Sequence, residues 1–400
     1  MRRMHPWATS VLLFLASISY CPAQESTDSA APIVSLESYY APSRVEGNGN
    51  WQETGSLAPS GVIPASHLHG LATSTACDQG RCDSILGSCS GGCTSGCSDC
   101  LPWWAHCHSV FGELLFLNPG SSDLIYAVEQ TDPTPSASPT GPMGISNVED
   151  ELGYRVGGAY ALSCKSSLVG TFTRWDGDTT DVLNATGNNV LNSQVIHPST
   201  ATTGAASLQA TAYQRIGFQL ADLVYRRVHR AWDCGVINWN MGVRYSNLEQ
   251  GLVASQTVSV PSGLTTVTTD VDFEGFGILA GIDGERRAPC SGCLIYGKVL
   301  GSMNAGNWQA DYTQTNQFGG GVIANHYEDF RITPILDTEL GFGWQSKCGT
   351  WRVTSGYMFS TWFNSVNNRD YIAAVRSGNM LELDDWITFS GLTFRTEARW

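Results

Sequence analysis

Cysteine is the residue type in this chain most capable of chemistry, and it is unevenly spaced. Of 13 cysteines, seven form one tract in which Ser, Gly and Asp are the main separating residues. The spacing Cys93-x3-Cys97-x2-Cys100, followed by His106 and His108, could bind Zn²⁺ through thiolate and imidazole ligands. The alternative is disulfide bonds, which form in the oxidising compartments that exported chains enter. We favour disulfides on that compartment argument and expect neither a metal nor a cofactor.

An even number of cysteines remains if a signal peptide that contains Cys21 is removed. The five cysteines outside the tract lie in or beside short polar turns, which we expect to gather at one rim of the folded chain. Some of them would then pair with the tract and hold it beneath that rim. The disulfide candidates are Cys77, Cys82, Cys89, Cys93, Cys97, Cys100, Cys107, Cys164, Cys234, Cys290, Cys293 and Cys348.

Charged residues share one face of several segments whose other face is apolar. Alternation with a period of two is typical of a β-strand with two different faces. If the apolar face contacts lipid, the charged face points into the lumen of a barrel. The six acidic and six basic side chains expected there are Glu113, Arg155, Arg244, Asp283, Glu285, Lys298, Asp337, Glu339, Arg352, Arg395, Glu397 and Arg399.

These inward charges allow two interpretations. They could line a narrow pore whose rings of charge filter solutes, or they could form an ion-pair network that fills the lumen. A ten-stranded barrel is close to the size at which side chains fill the interior. Asp337 and Glu339 could also act as general acid and base. Because no Ser or Cys nucleophile with a His base accompanies them, we do not expect an enzyme.

The last fifteen residues show the alternation most clearly. Trp400, Phe394 and Leu392 lie on the apolar side of WITFSGLTFRTEARW, and the arginines and the glutamate lie on the other. Phe394 and the terminal Trp400 are similar to the C-terminal signal by which outer-membrane barrels are recognised for insertion. We therefore expect the barrel assembly machinery among the partners.

Composition supports an all-β protein with much of its surface out of water. Charged residues are 14% of the chain, against about 25% in typical soluble domains. The chain also contains 43 glycines and 10% aromatic residues. The net charge of −14 argues against a nucleic-acid partner, because there is no basic stripe to contact phosphates.

The N-terminal region predicts export. Residues 1–23 have a basic start and a short apolar stretch typical of a signal peptide; lipid attachment at Cys21 is the alternative. Residues 24–108 are predicted to be a flexible tether with the cysteine-rich segment, and residues 109–400 a barrel domain. No later stretch reaches the length of about 18 apolar residues that a membrane helix needs.

Ten strand-like runs follow, and the connections between them alternate in length. The short ones are 163–166, 229–234, 287–292 and 346–349, and the long ones lie near 118–151, 177–209, 249–270, 304–329 and 363–385. Outer-membrane barrels have short periplasmic turns and long extracellular loops. The predicted strands are 110–117, 152–163, 166–176, 210–228, 235–248, 271–286, 293–303, 330–345, 349–362 and 386–400.

Three segments resemble the Legionella-type major outer-membrane protein family, including a planctomycete-like branch. They are VFGELLFLNPGSSDLIYAVEQ, DLVYRRVHRAWDCGVINWNMGVRYSNLEQ and FEGFGILAGIDGERR. The resemblance covers about residues 110–400 and implies a pore-forming barrel without catalytic residues.

The sequence thus predicts an all-β, antiparallel up-and-down transmembrane β-barrel of about ten strands, behind an irregular cysteine-rich segment. The expected location is the bacterial outer membrane, with the N-terminal segment in the periplasm. The expected function is passive passage of small solutes; the alternative is a non-conducting barrel that links the membrane to periplasmic or wall material. Expected partners are outer-membrane lipid and other cysteine-rich envelope proteins.

Overall fold

A computed structural model describes residues 105–400 except 135–136, 201–206, 233, 260–261, 289–290, 317–321 and 382. The signal peptide, the tether, Cys290 and the tract cysteines up to Cys100 lie outside the described residues. The strands are β1 Ser109–Gly120, β2 Leu124–Gln130, β3 Pro139–Ser146, β4 Glu151–Ser163, β5 Ser166–Asn184, β6 Val190–Ser193, β7 Ser207–Trp232, β8 Gly235–Ser259, β9 Ser262–Arg287, β10 Cys293–Asn316, β11 Ile323–Gln345, β12 Trp351–Ser365 and β13 Asp385–Arg399; the helix α1 is Asn368–Ser377.

Ten of these strands form a closed antiparallel barrel in the ring order β1-β13-β12-β11-β10-β9-β8-β7-β5-β4. The ring closes where β1 pairs with β13, from Ser109 opposite Arg399 to Gly120 opposite Thr388. The remaining strands form a small sheet in the order β3-β2-β6. The predicted all-β, up-and-down barrel of about ten strands is therefore confirmed.

The two faces of the wall have the polarity expected in lipid. On β11, Leu340 and Phe342 are each 68% exposed, whereas Glu339, the residue before Leu340, is 9% exposed. A soluble sandwich would bury the apolar face against a core and expose the charged one. The opposite arrangement here is that of a membrane barrel, in which lipid covers the outer face. Among the described residues, no helix is long and apolar enough to cross a membrane.

The outer apolar surface is a belt that covers only part of each long strand. On β10, Ile295, Val299 and Met303 face outward and are exposed, whereas Asn307 and Asp311 follow on the same face. This apolar length matches the 9–11 residues that a tilted strand needs to cross a bilayer. Aromatic side chains mark both edges of the belt: Tyr160, Trp232, Trp344, Trp351 and Trp400 at one, and Phe116, Tyr245, Phe330, Phe363 and Trp386 at the other.

The connections differ from the prediction at one end of the barrel. The turn end, where β4–β5, β7–β8, β9–β10 and β11–β12 are joined, has the expected short turns. At the opposite loop end, however, the predicted long loops 249–270 and 304–329 are wrong. There β8 and β9 run to Ser259 and Ser262, and β10 and β11 to Asn316 and Ile323. Beyond the belt both faces of a strand can be polar, so the alternation used to predict strands is lost.

Pro334, which has no N–H to donate, lies within β11 without a bulge. β10 and β11 pair in unbroken register through it. The pairing of β11 with β12 begins one residue later, at Ile335, so the missing N–H of Pro334 interrupts no ladder there. Asp222 needs no bulge either; the irregularity of β7 lies between Val228 and Arg230.

The predicted connection 363–385 contains a helix that the sequence analysis missed. Tyr371, Ile372, Ala374 and Val375 of α1 are buried, and the helix ends at Gly378, whose φ of 70° suits glycine. The apolar spacing and this glycine were the available signals. Because α1 packs into the barrel at its loop end, it forms part of the candidate site in the lumen.

Candidate functional site in the barrel lumen

All twelve charged side chains predicted to point inward lie on the inner face of the barrel, within the height of the lipid belt. Their role in lining a conducting pore stays a prediction. Two further charged residues join them, Asp222 and Arg226 of β7, which contact Arg244 and Asp283. The lumen at this height therefore holds equal numbers of acidic and basic side chains.

Arg155 joins strands on nearly opposite sides of the ring. Its Nη1 lies 2.9 Å from an oxygen of Glu113 and 3.3 Å from an oxygen of Glu339. In the ring order, β4 and β11 are separated by β1, β13 and β12. Glu339 also accepts a hydrogen bond of 2.7 Å from the hydroxyl of Tyr296 and lies 3.8 Å from Lys298. This cluster spans the lumen rather than following its wall.

Arg244 forms a second bridge across the interior. It donates to both carboxylate oxygens of Asp222, at 2.7 and 2.9 Å, and to Asp337 at 2.6 Å. The other oxygen of Asp337 accepts a hydrogen bond of 2.6 Å from Ser360. Asp337 and Glu339 are thus both bound by arginines, an arrangement that stabilises two carboxylates rather than preparing an acid–base pair.

Three more ion-pair groups lie closer to the turn end. Arg226 pairs with Asp283, which also accepts hydrogen bonds from Asn238 at 2.9 Å and Asn240 at 2.7 Å. In the other groups Arg352 lies 2.6 Å from Glu285, and Glu397 lies between Arg395 and Arg399, at 3.1 and 3.6 Å. Ion pairs therefore occupy the lumen through most of the belt.

The lumen above this polar layer is filled by aromatic side chains. Phe218 lies 4.6 Å from Phe389 and 6.0 Å from Trp175 between ring centroids, and Phe273 lies 4.9 Å from Trp308. All five are buried at 0–1% exposure. An apolar layer inside an outer-membrane barrel is unusual, because such interiors are generally polar. It is the core on which the segments at the loop end pack.

Helix α1 and its flanking residues close the loop end. The hydroxyl of Tyr371 donates to the carbonyl of Ala310 at 2.8 Å, and burial raises its pKa above the usual range. The side chain of Gln250 donates to the carbonyl of Val366 and accepts from the N–H of Asn368, at 2.8 and 3.3 Å. Segment 366–383 is therefore held to the wall mainly by side-chain hydrogen bonds and apolar packing.

The turn end is covered by the residues that precede β1. Ala105, His106 and Cys107 are buried, and Ala105 packs against Val236 on the inner face of β8. The Nδ1 of His106 lies 2.9 Å from the hydroxyl oxygen of Ser167. Burial of the ring, assisted by the positive charge of Arg226, lowers the pKa of His106 to about 3. A neutral imidazole thus lies in the opening at neutral pH.

The described cysteines outside the tract gather at the turn end. Cys164 and Cys348 lie in the β4–β5 and β11–β12 turns, and Cys234 and Cys293 adjoin the other two turns. The thiols of Cys234 and Cys293 are free. Cys107, Cys164 and Cys348 are each engaged with a partner, and the predicted disulfide pairings stay predictions. Among the described residues, no group of three or more His, Cys, Asp or Glu could hold a metal ion.

The solved structures that this chain is similar to are distant in sequence. The outer-membrane protease OmpT from Escherichia coli is 10% identical, with a TM-score of 0.43 over 74% of this chain and 97% of that one. The toluene transporter TodX from P. putida is 7% identical, with a TM-score of 0.29 over 74% and 90%. A FadL homologue from Pseudomonas aeruginosa is 8% identical, with a TM-score of 0.19 over 73% and 89%.

No curated protein matches the chain in sequence. Residues 101–395, in contrast, match the family described as Legionella pneumophila major outer membrane protein precursor. The matched range includes nine barrel strands in full, β13 up to Arg395, the helix α1 and nearly all the inward charges, and it confirms the resemblance seen in the sequence. The chain belongs to the Legionella major outer-membrane protein family.

Proposed function

We propose that the protein is an outer-membrane channel for small solutes and that the described arrangement is its closed state. The turn end faces the periplasm and the loop end faces the outside, as in other barrels with short periplasmic turns. Partners in this proposal are outer-membrane lipid and the barrel assembly machinery. No catalytic role is proposed, because Asp337 and Glu339 are occupied by Arg155, Arg244 and their neighbours.

One observation carries the proposal: the segments that close the lumen are not strands of the barrel wall, so their displacement would leave the strand pairing of the wall intact. The loop end is closed by segment 366–383, and the turn end by residues 105–107. Between them lie charged side chains that have alternative partners; Glu339, for example, contacts both Arg155 and Lys298. A balanced set of charges predicts weak selectivity between cations and anions.

Single-channel recording in planar bilayers tests this function. Ile372→Asp places a charge on the buried face of α1, where Ile372 is 2% exposed, and should loosen the closing segment. We expect longer or more frequent openings than in the unchanged protein. Leu381→Asp is the matched control, since Leu381 belongs to the same segment and is 90% exposed. Heat-modifiable gel migration establishes that both variants are folded.

A second candidate function is supported by the ion pairs that cross the lumen and by the cysteines at the turn end. In this alternative the barrel does not conduct and links the outer membrane to wall material or to other cysteine-rich envelope proteins. Absence of conductance in both the unchanged protein and folded Ile372→Asp would contradict the channel. Co-sedimentation with wall material that is lost on reduction would then support the link.

A further inference from the structure

A groove of about 520 Å³ runs along the outer face of the barrel near the turn end. Its floor contains Gly158 of β4 and Gly170 of β5, which are directly opposite each other. Its sides are Val110 of β1 and Leu223 of β7, which are 53% and 49% exposed. All four residues lie within the lipid belt, so the groove opens towards hydrocarbon and not towards water.

The groove exists because small residues interrupt a wall of larger ones. A Cβ atom added at Gly170 would meet no atom within 4 Å. Tyr160 and Leu168, one step nearer the turn end, are 63% and 37% exposed and continue the apolar lining. A concave apolar channel of this kind removes more of a hydrocarbon chain from its surroundings than a flat barrel face does.

Polar groups lie where the groove meets the turn-end edge of the lipid belt. His108 lies between Tyr160 and Trp400, with ring centroids at 4.8 and 6.4 Å. Its Nδ1 accepts a hydrogen bond of 3.3 Å from the N–H of Ala161, so the neutral ring carries its proton on Nε2. The Nε2–H of His108 has no hydrogen-bond partner among the described residues and is available as a donor at the groove's polar end.

Arg227 supplies a positive charge at the same level. Arg227 is exposed on the outer face of β7, two residues after Tyr225. Tyr225 is directly opposite Leu168 of the groove. Two residues along a strand amount to about 7 Å, a distance that a guanidinium can span. No ion-pair partner of Arg227 occurs among the described residues. An arginine at the edge of the belt can extend along the apolar surface and keep its charge in the headgroup region.

Charge at the turn end selects for an anion. The exposed charged side chains there include Arg227, Arg230, Arg286 and Lys347. The acidic residues described at this end, among them Glu285 and Glu397, are buried inside the lumen. Basic sites beside membrane segments characteristically bind the headgroups of anionic lipids.

We propose that this groove is a binding site for one anionic glycerophospholipid, with an acyl chain along Gly158 and Gly170 and the phosphate at Arg227 and His108. With the turn end in the periplasm, the lipid comes from the inner leaflet. The site depends on the orientation of the barrel in the membrane but not on whether the lumen conducts.

Native mass spectrometry of the full-length protein in detergent, titrated with phosphatidylglycerol or phosphatidylethanolamine, tests the site. Gly170→Leu fills the groove and should lower retention of both lipids. Arg227→Gln should lower retention of phosphatidylglycerol about fivefold, the effect of one basic residue at a membrane surface, and change phosphatidylethanolamine little.

Two variants serve as controls. Gly301→Leu adds the same side chain to the lipid face of β10, where a Cβ atom would lie 4.0 Å from its nearest neighbour. Arg286→Gln removes a basic residue of the turn end that does not border the groove. Equal retention by all folded variants would overturn the proposal. Loss of oligomers in Gly170→Leu with unchanged lipid retention would also overturn it and would assign the groove to a second copy of the chain.

Discussion

Arg244 is the side chain on which most of the membrane-level network depends. It is 2% exposed and is the shared partner of Asp222 and Asp337, which lie on β7 and β11. Bringing charges out of water is costly, and the cost is offset only while every charge keeps its partners. Removal of the arginine would leave two carboxylates in the lumen without their main counter-ion.

We expect Arg244→Met to lower the free energy of unfolding by about 3–5 kcal/mol, the usual cost of breaking a buried ion pair. Urea unfolding in lipid or detergent measures this change. Combining it with Asp222→Asn and Asp337→Asn removes the unpaired charges and should restore much of the loss. Arg174→Met is the control, because its pair with Asp176 is about 40% exposed and should contribute about 1 kcal/mol or less. An equally large loss of unfolding free energy in Arg174→Met would show that the buried network contributes no more stability than an exposed ion pair.

Asp272, on the outer face of β9 beyond the lipid belt, should make stability depend on pH. Desolvation, together with the negative charges of Glu249 and Asp270, raises the pKa of Asp272 to about 6. Because the folded state binds this proton more tightly than the unfolded state does, stability falls as pH rises from about 4 to 6.

Asp272→Asn should therefore raise the thermal midpoint of unfolding more at pH 7.5 than at pH 4.5, as followed by heat-modifiable migration. Asp178→Asn is the control, since Asp178 is also an exposed aspartate beyond the belt but is directly opposite a basic residue, Arg215. An equal gain from Asp272→Asn at both pH values would contradict the electrostatic explanation.

The inward position of a charge could be predicted residue by residue, but its partner could not. Strand parity places Glu113 and Glu339 in the lumen, because one face of each strand must contact lipid. That both contact Arg155 depends on the barrel's diameter and stagger, which local pattern does not contain. Arg226 was missed because the irregularity at Val228–Arg230 changes the parity of β7 close to the turn.

At the scale of elements, the barrel strands differ in length, and β5, with 19 residues, is intermediate. β7 to β11 have 23–26 residues each, whereas β1, β4, β12 and β13 have 12–15. The existence of all ten was predictable, since the segments in the belt alternate strictly. Their length was not, because beyond the belt the outer faces of β8 and β9 carry polar residues such as Ser255, Thr257, Thr266 and Thr268, and no apolar outer face marks the strand. Helix α1 was not predicted, because the polar residues of segment 363–385 indicate a loop.

The seam between β1 and β13 contains the residues of the predicted C-terminal signal. Trp400 directly follows the last residue of β13. Its N–H donates to the carbonyl of His108 at 2.9 Å. The assembly role of Phe394 and Trp400 stays a prediction. We expect Trp400→Asp to leave export intact and to lower the yield of folded barrel several-fold, measured by heat-modifiable migration.

Trp351→Asp is a matched control for that experiment. Trp351 belongs to the same aromatic edge of the belt, is 52% exposed and lies on β12 opposite Ala398. If Trp351→Asp impairs assembly as strongly as Trp400→Asp, the defect comes from the lipid interface and not from a terminal signal.

At the scale of the whole molecule, charge is divided between the two ends. The chain has 36 acidic and 22 basic residues, yet the exposed charges described at the turn end are basic. Among the described residues, acidic side chains gather instead towards the loop end, where Glu249, Asp270, Asp272 and Glu274 face outward.

Trypsin added to intact cells tests the orientation. We expect no cleavage at the exposed Lys347 of the β11–β12 turn until the outer membrane is permeabilised, because the proposed orientation places that turn in the periplasm. Immunodetection of fragments with an antibody against the C-terminus reports the cut. Cleavage at Lys347 in intact cells would reverse the proposed orientation and with it the leaflet of the lipid site.

The pairing of Ser109 with Arg399 also sets the order of events when the protein folds. These residues are almost 300 positions apart, so the entropy of closing that loop must be overcome before the seam forms. Until the last strand has arrived, the sheet has two unpaired edges that can join other chains. Closure is therefore expected to be the slow step, and any chain that ends early remains an open sheet prone to aggregation.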